Sequence, residues 1–261
     1  MLLKYRVSPV FWILAISLTV SLVSTYGATV GLNSTADAFV TTGPSNNLTT
    51  NHYGAGGSIG LAAPGLPKGE FQSVLRFDTS TAKSSFDTLY GAGAWNVQSL
   101  TLQLTATAVN NTNFNANAAG SFSLSWMKND GWTEGTGTPN APGTAGITFD
   151  TLQNTFISPG LDQGLGTFSY NGSSSGSSVY TLDIPPGLIS DILAGDQVSL
   201  RLFGADSSIS YLFNSREFGT VANRPLLSIT AVPEPGTITL LTLGLMGVIA
   251  GAARKKKKGL N

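Results

Sequence analysis

Apolar and polar residues alternate with a period of two in this chain, and this is the feature that most constrains its fold. In residues 99–109 (SLTLQLTATAV), Leu100, Leu102 and Leu104 fall on one side and polar residues on the other. The same alternation recurs in residues 122–126, 180–184 and 198–202. Because a strand turns successive side chains to opposite faces, these segments are predicted to be strands with one buried and one solvated face.

The rest of the central region extends the same pattern. Shorter strand candidates occupy residues 36–41, 73–78, 167–170, 208–214 and 226–231. One short crossover helix is predicted from Pro186 to Leu193, since proline suits the first helical turn and Gly195 can end the helix. About nine strands joined by Gly-, Asn- and Ser-rich segments predict an all-β, antiparallel β-sandwich over residues 29–231.

Charge and composition exclude several classes of function. Residues 28–231 hold seven basic and 13 acidic residues, a net charge of −6, without a basic cluster, so a nucleic-acid partner is not expected. The absence of cysteine excludes thiol catalysis and cysteine-ligated zinc, and the single histidine, His52, excludes a multi-histidine metal centre. We therefore expect no required cofactor.

Residues 1–28 have the features of a secretory signal peptide. Lys4 and Arg6 form a positive start, an apolar stretch covers residues 10–23, and small residues follow, with a favoured cut after Gly27. This predicts export through the Sec translocon and removal by signal peptidase. The alternative is an uncleaved N-terminal anchor.

The C-terminus predicts a membrane anchor with a fixed orientation. Val232, Pro233, Glu234 and Pro235 precede an uncharged stretch of 17 residues, 237–253, which as a helix would span about 25 Å. Five cations then follow, namely Arg254, Lys255, Lys256, Lys257 and Lys258. Because flanking positive charge stays in the cytoplasm, a transmembrane helix here would place the body outside the cytoplasm and the tail inside.

These C-terminal features together resemble the PEP-CTERM protein-sorting signal. The matching parts are the Pro-Glu-Pro motif at 233–235, the span at 237–253 and the basic cluster at 254–258. The resemblance implies recognition by an exosortase in bacteria that make exopolysaccharide. It divides the chain into a signal peptide (1–28), a sandwich domain (29–231) and a sorting signal (232–258), with the mature body finally at the cell surface or outside the cell.

Short motifs of the body resemble the DNRLRE-domain family of disaggregatase-related carbohydrate-binding modules. In family order, they are residues 36–40 (ADAFV), 51–54 (NHYG), 74–78 (VLRFD), 97–102 (VQSLTL), 132–135 (WTEG) and 213–217 (FNSRE) with 224–227 (RPLL). The resemblance implies a jelly-roll-like sandwich and association with extracellular polysaccharide.

Three aromatic residues are candidates for carbohydrate binding, because sugar rings stack their C–H faces on aromatic rings. Trp95 lies in a Gly- and Ala-rich segment and is expected to be exposed. Trp132 begins the WTEG motif, where core packing is the alternative, and Tyr53 lies in the NHYG turn.

Charged residues in the motifs suggest structural rather than catalytic roles. Arg76 and Glu217 are expected to form an ion pair that joins two distant strands. A structural Ca²⁺ ion is a further possibility, with oxygen ligands from Asp37, Asp130 and Asp150.

Three functions are compatible with these sequence features. The first is an exported surface protein that associates with exopolysaccharide, and the second is a structural or adhesive surface protein without a sugar site. The third is a polysaccharide-active enzyme that uses paired carboxylates, Asp130 with Glu134 or Asp78 with Glu217. Neither pair is tied to a cleft by the sequence, so the chain is predicted not to be an enzyme.

Overall fold

Strands form most of the computed structural model, which describes residues 26–107, 114, 118–173 and 175–234. Within these residues the strands are β1 (Ala28–Asn33), β2 (Ala36–Thr41), β3 (Ser58–Ala62), β4 (Phe71–Asp78), β5 (Trp95–Thr105), β6 (Gly120–Met127), β7 (Gln163–Tyr170), β8 (Ser177–Leu182), β9 (Gln197–Gly204), β10 (Ser210–Asn214) and β11 (Leu226–Pro233). Strands β1 and β3 were not predicted from the sequence, β3 because it begins inside a glycine-rich segment.

The strands form two sheets. The smaller sheet has the order β1-β11-β5-β8. The larger has the order β10-β3-β4-β9-β6-β7, with β2 also paired to β4. Adjacent strands pair antiparallel, as in β4 with β9, where Leu75 faces Leu200. The predicted β fold of two antiparallel sheets is confirmed, and its closer likeness to a jelly roll stays a prediction.

One hydrophobic core joins the two sheets. Leu100, Leu102 and Leu104 of β5 are fully buried in the same cluster as Phe122 and Leu200 of the other sheet. The predicted alternation is therefore correct in its period of two. It is also correct in placing the leucines, rather than the polar residues, on the buried face. Full burial of such side chains stabilises the fold by about 1.5–3 kcal/mol each.

Helices lie between the strands, and two of them pack on this core. They are α1 (Ser80–Tyr90), α2 (Phe149–Thr151), which continues as a π-helical turn over Leu152–Phe156, and α3 (Pro186–Ala194), with 3₁₀ turns at Pro44–Asn46 and Val221–Asn223. The predicted helix at Pro186 is confirmed, and Gly195 ends it in a left-handed conformation. The prediction of a single helix is wrong, because α1 buries Ala82, Phe86 and Tyr90 at a spacing of four.

Most of the predicted targeting segments lie outside the residues that the structure describes. The apolar stretch 10–23, the span 237–253 and the basic cluster 254–258 lie outside the described residues. Among the helices that are described, none has the length and apolar content needed to cross a bilayer. Residues 27–232 form one compact unit.

Candidate functional site

The predicted sorting segment begins inside the folded body. Strand β11 runs to Pro233, and its Ala231 pairs with Ala28 and is fully buried. The Tyr90 hydroxyl donates a hydrogen bond of 3.2 Å to the Ala231 carbonyl. Proline suits the last position of a strand because it has no N–H to donate to the ladder. The body is therefore folded up to Pro233, whereas Pro235 and the residues beyond it lie outside the described part.

Charged residues from three distant parts of the chain meet in one group, which we call the carboxylate cluster: Asp37, Glu134, Arg216 and Glu217. Asp37 lies on β2, Glu134 lies in the loop after β6, and the other two follow β10. The Arg216 guanidinium binds both oxygens of Glu134 at 2.6 Å. Its Nε also lies 3.0 Å from Glu217 Oε1. This bidentate bridge fixes the loop after β6 to the loop after β10.

Backbone hydrogen bonds complete the carboxylate cluster. The Arg216 N–H donates to Asp37 Oδ2 at 2.7 Å, and the Asp37 N–H donates to Glu134 Oε1 at 3.0 Å. Asp37 is only 2% exposed. Burial raises the pKa of Asp37 to about 7, and the neighbouring Glu217 and Glu134 add to the rise, which the hydrogen bond and charge of Arg216 only partly oppose.

Carboxylate oxygens of Asp37, Glu134 and Glu217 lie within 4.8 Å of one another, close enough to share a cation. The Arg216 guanidinium already supplies positive charge to two of them. Asp130 and Asp150, the other predicted Ca²⁺ ligands, do not belong to this group within the described residues. Asp150 instead accepts a hydrogen bond from the Thr49 hydroxyl. The structural Ca²⁺ ion thus stays a prediction from sequence, and its proposed trio of ligands is wrong.

The predicted ion pair between Arg76 and Glu217 is wrong. Among the described residues, the ion-paired partner of Glu217 is Arg216. The Arg76 guanidinium lies over the Trp132 ring at 4.2 Å and donates to Gln197 Oε1 at 3.2 Å. A bidentate bridge between distant segments does exist, but its arginine follows β10 rather than lying on β4.

The three candidate sugar-stacking residues are buried. Trp95 is 2% exposed, Trp132 1% and Tyr53 4%, so the prediction that Trp95 is exposed is wrong. Trp95 begins β5 and packs on Phe86 of the unpredicted helix α1, with a ring-centroid distance of 4.9 Å.

Their polar atoms and ring faces are already occupied. The Trp95 indole N–H donates to Asp87 Oδ1, and that of Trp132 donates to Ser199 Oγ, both at 2.8 Å. Tyr53 stacks on Phe39 with centroids 4.8 Å apart. Within the described residues these rings serve the core rather than a surface.

The carboxylate pairs considered for catalysis also have structural partners. Asp78 accepts the N–H of Ser80, the first residue of α1, at 2.9 Å. Glu134 is held by Arg216, and the charge of Arg76 acts on both Glu134 and Asp130. The carboxylate cluster was visible in the sequence only as separate short motifs, ADAFV, WTEG and FNSRE, which gave no sign that they would meet.

Comparison with known proteins identifies one part of the chain. Residues 231–256 match the family model described as the PEP-CTERM protein-sorting motif. No curated protein matches the chain. The match does not extend over the body, so the likeness to DNRLRE domains has no support from it. The matched motif supports a secreted surface protein that is sorted by an exosortase.

Proposed function

We propose that this chain is an exported bacterial envelope protein that stays anchored in the inner membrane until an exosortase removes its C-terminal segment. The supporting observation is the match at residues 231–256, which overlaps the end of β11 by only three residues. In this proposal the Sec translocon exports the body, and signal peptidase cuts after Gly27. Strand β1, which begins at Ala28, then remains whole.

The tail holds the body at the membrane before processing. Residues 237–253 span the bilayer, and the five cations at 254–258 remain in the cytoplasm. Moving one such cation to the bilayer centre costs about 2.5–3.5 kcal/mol on insertion scales, so passage of all five is strongly disfavoured.

The fold limits where the segment can be cut. A cut before Ala231 would remove residues that pair with β1 and fill the core. A cut C-terminal to Pro233 leaves β11 complete, because the strand ends there. The processed body then leaves the membrane folded and reaches the cell surface or the medium.

Replacement of Pro233, Glu234 and Pro235 by alanine tests this proposal in a host that contains an exosortase. We expect a full-length, membrane-bound species in place of a processed one. The matched control replaces Pro139 and Pro142, two exposed prolines of a surface loop, and should be processed normally. Mass spectrometry of the surface and secreted fractions gives the C-terminus, and an intact end at Asn261 would contradict the proposal.

We further propose that the body associates with exopolysaccharide and performs no chemistry on it. The support is the resemblance of its short motifs to carbohydrate-binding modules, together with the engagement of the candidate catalytic carboxylates by Arg216 and by helix α1. Retardation of the protein in gels that contain matrix polysaccharide tests the association, and assay of reducing ends tests for cleavage. Absence of retardation would favour a structural or adhesive protein without a sugar site, and release of reducing ends would favour an enzyme.

A further inference from the structure

The two sheets leave a groove between their outer strands β7 and β8. Strand β7 is the last of the larger sheet and β8 the last of the smaller. The strands meet at one end, where the Asp183 N–H donates to the Leu165 carbonyl at 3.0 Å. Beside this contact lies a groove of about 560 Å³, within the ~300–1,000 Å³ usual for small-molecule sites.

Uncharged side chains line this groove. Its walls are residues 167–171 of β7 and the turn after it, and residues 178–181 of β8. Both stretches lack any charged residue, and most of their members carry a hydroxyl or amide group. A hydroxyl can donate one hydrogen bond and accept others, which matches the groups that a sugar displays.

Aromatic rings form a rigid floor to the groove. The rings of Phe168 and Tyr180 have centroids 5.3 Å apart, and both pack on the buried Phe122 at 5.9 and 5.1 Å. Phe168 is only half-buried. Because the core already holds these rings in place, a ligand that stacks on Phe168 costs little additional side-chain entropy.

A buried hydroxyl lies at the same place. Tyr180 is 7% exposed, and its hydroxyl forms no hydrogen bond of good geometry among the described residues, although the nearby Ser178 side chain partly opposes the rise of its pKa that burial causes. A buried polar atom without a partner costs about 1–3 kcal/mol of stability. A ligand hydroxyl or an ordered water that reaches this atom would recover part of that cost.

The shape of β7 disfavours a peptide strand as the occupant. The pairing of β6 with β7 shifts between Leu124 and Ser125, and Gly166 has a φ of 122°. Such a bulge bends a strand and protects a sheet edge from pairing with another chain. A ligand that uses side-chain hydroxyls and ring faces is less affected by a bent edge.

We propose that the groove between β7 and β8 binds a segment of uncharged polysaccharide. The sugar ring lies against the half-buried Phe168, which Tyr180 supports from the core side, and its hydroxyls exchange hydrogen bonds with the hydroxyl groups along both strands. This inference rests on the proposed association with exopolysaccharide and specifies its site and the class of glycan.

Affinity electrophoresis of the full-length chain tests the proposal, in a zwitterionic detergent without a sugar headgroup. The gels contain neutral dextran, laminarin or hydroxyethyl cellulose, or acidic alginate. Thr167→Arg with Thr181→Arg places two cations on exposed groove positions. Thr29→Arg with Thr220→Arg makes the same charge change at exposed positions away from the groove. Phe168→Leu removes the ring but retains apolar packing, and thermal melting verifies that each variant is folded.

We expect at least one neutral polysaccharide to retard the wild type, a loss of affinity of at least tenfold in both groove variants, and a change of less than twofold in the control. Equal retardation of wild type and groove variants would overturn the groove while leaving the association with glycan intact. No retardation of the wild type by any polysaccharide would overturn the association itself. Stronger retardation by alginate would overturn the neutral class. A wild-type dimer that the Thr167 and Thr181 changes convert to a monomer would assign the groove to protein contact instead.

Discussion

Substitution of Asp37 by asparagine removes one titrating group from the carboxylate cluster with little change of shape. The Asp37 side chain is 2% exposed and accepts the Arg216 N–H at 2.7 Å. The asparagine carbonyl oxygen can accept the same hydrogen bond. The variant therefore separates the ionisation of Asp37 from its packing.

The sign of the effect follows from the raised pKa. Burial raises the pKa of Asp37 from 3.8 to about 7 in the folded protein. The folded state then binds a proton more tightly than the unfolded state, so this contribution to stability is fully present below pH 3.8 and is lost as the pH rises through 7. At about 1.4 kcal/mol per pH unit, wild type loses about 4 kcal/mol relative to the variant over this interval.

Urea unfolding at pH 4.5, 6 and 8 measures this difference. Burial also raises the pKa of Asp130 and of Asp191, so the informative quantity is the free energy of unfolding of Asp37→Asn minus that of wild type. We expect this difference to grow in favour of the variant as the pH rises. Asp183→Asn, at an exposed position, is the control and should follow wild type. A difference that is constant with pH, or that grows toward acid, would falsify the reasoning.

Three further predictions concern stability. Arg216→Gln should destabilise the fold by about 2 kcal/mol in urea unfolding. This is less than the ~3–5 kcal/mol of a fully buried pair, because 38% of the Arg216 side chain is exposed. The control, Arg224→Gln, should change the urea midpoint little. Leu102→Ala should lower the free energy of unfolding by about 2–5 kcal/mol in chemical denaturation, because Leu102 is fully buried. Thr101→Ala, on the outer face, should change it by less than about 0.5 kcal/mol. Equal costs would mean that the buried face is assigned wrongly. Gly54→Ala should lower the melting temperature sharply, since a Cβ there would fall 1.8 Å from a backbone carbonyl oxygen, and an unchanged melting temperature would contradict that close approach.

Local patterns predicted local structure well and contacts between loops poorly. The alternation in residues 99–105 correctly placed Leu100, Leu102 and Leu104 in the core. Helix α1 was missed because its sequence, STAKSSFDTLY, contains several residues with modest helix propensity, and the packing of Phe86 on Trp95 stabilises it. The exposure predicted for Trp95 was wrong for the same reason, since the partner that buries it lies on that helix.

The carboxylate cluster shows what the sequence could not decide about the predicted bridge. The motifs suggested that an arginine joins distant segments, but they did not identify which arginine or which partner. Arg76 and Arg216 both stand in short motifs, and nothing in their spacing distinguishes them. Arg216 reaches Glu134 across 82 positions and Asp37 across 179. Which loops lie together depends on the order of strands in the sheet, which alternation alone does not specify.

The sequence by itself determined the β class, the buried face of the main strands and the sorting segment, which was predicted at 232–258 and matches the family model at 231–256. Each of these is encoded in consecutive residues, as a two-residue period or as a linear motif. The tertiary structure alone decided that Pro233 closes a buried strand, that Asp37 lies among two other carboxylates, and that β7 and β8 leave a groove between them. These features arise where distant segments meet, and the position of each segment is set by the packing of both sheets on one core.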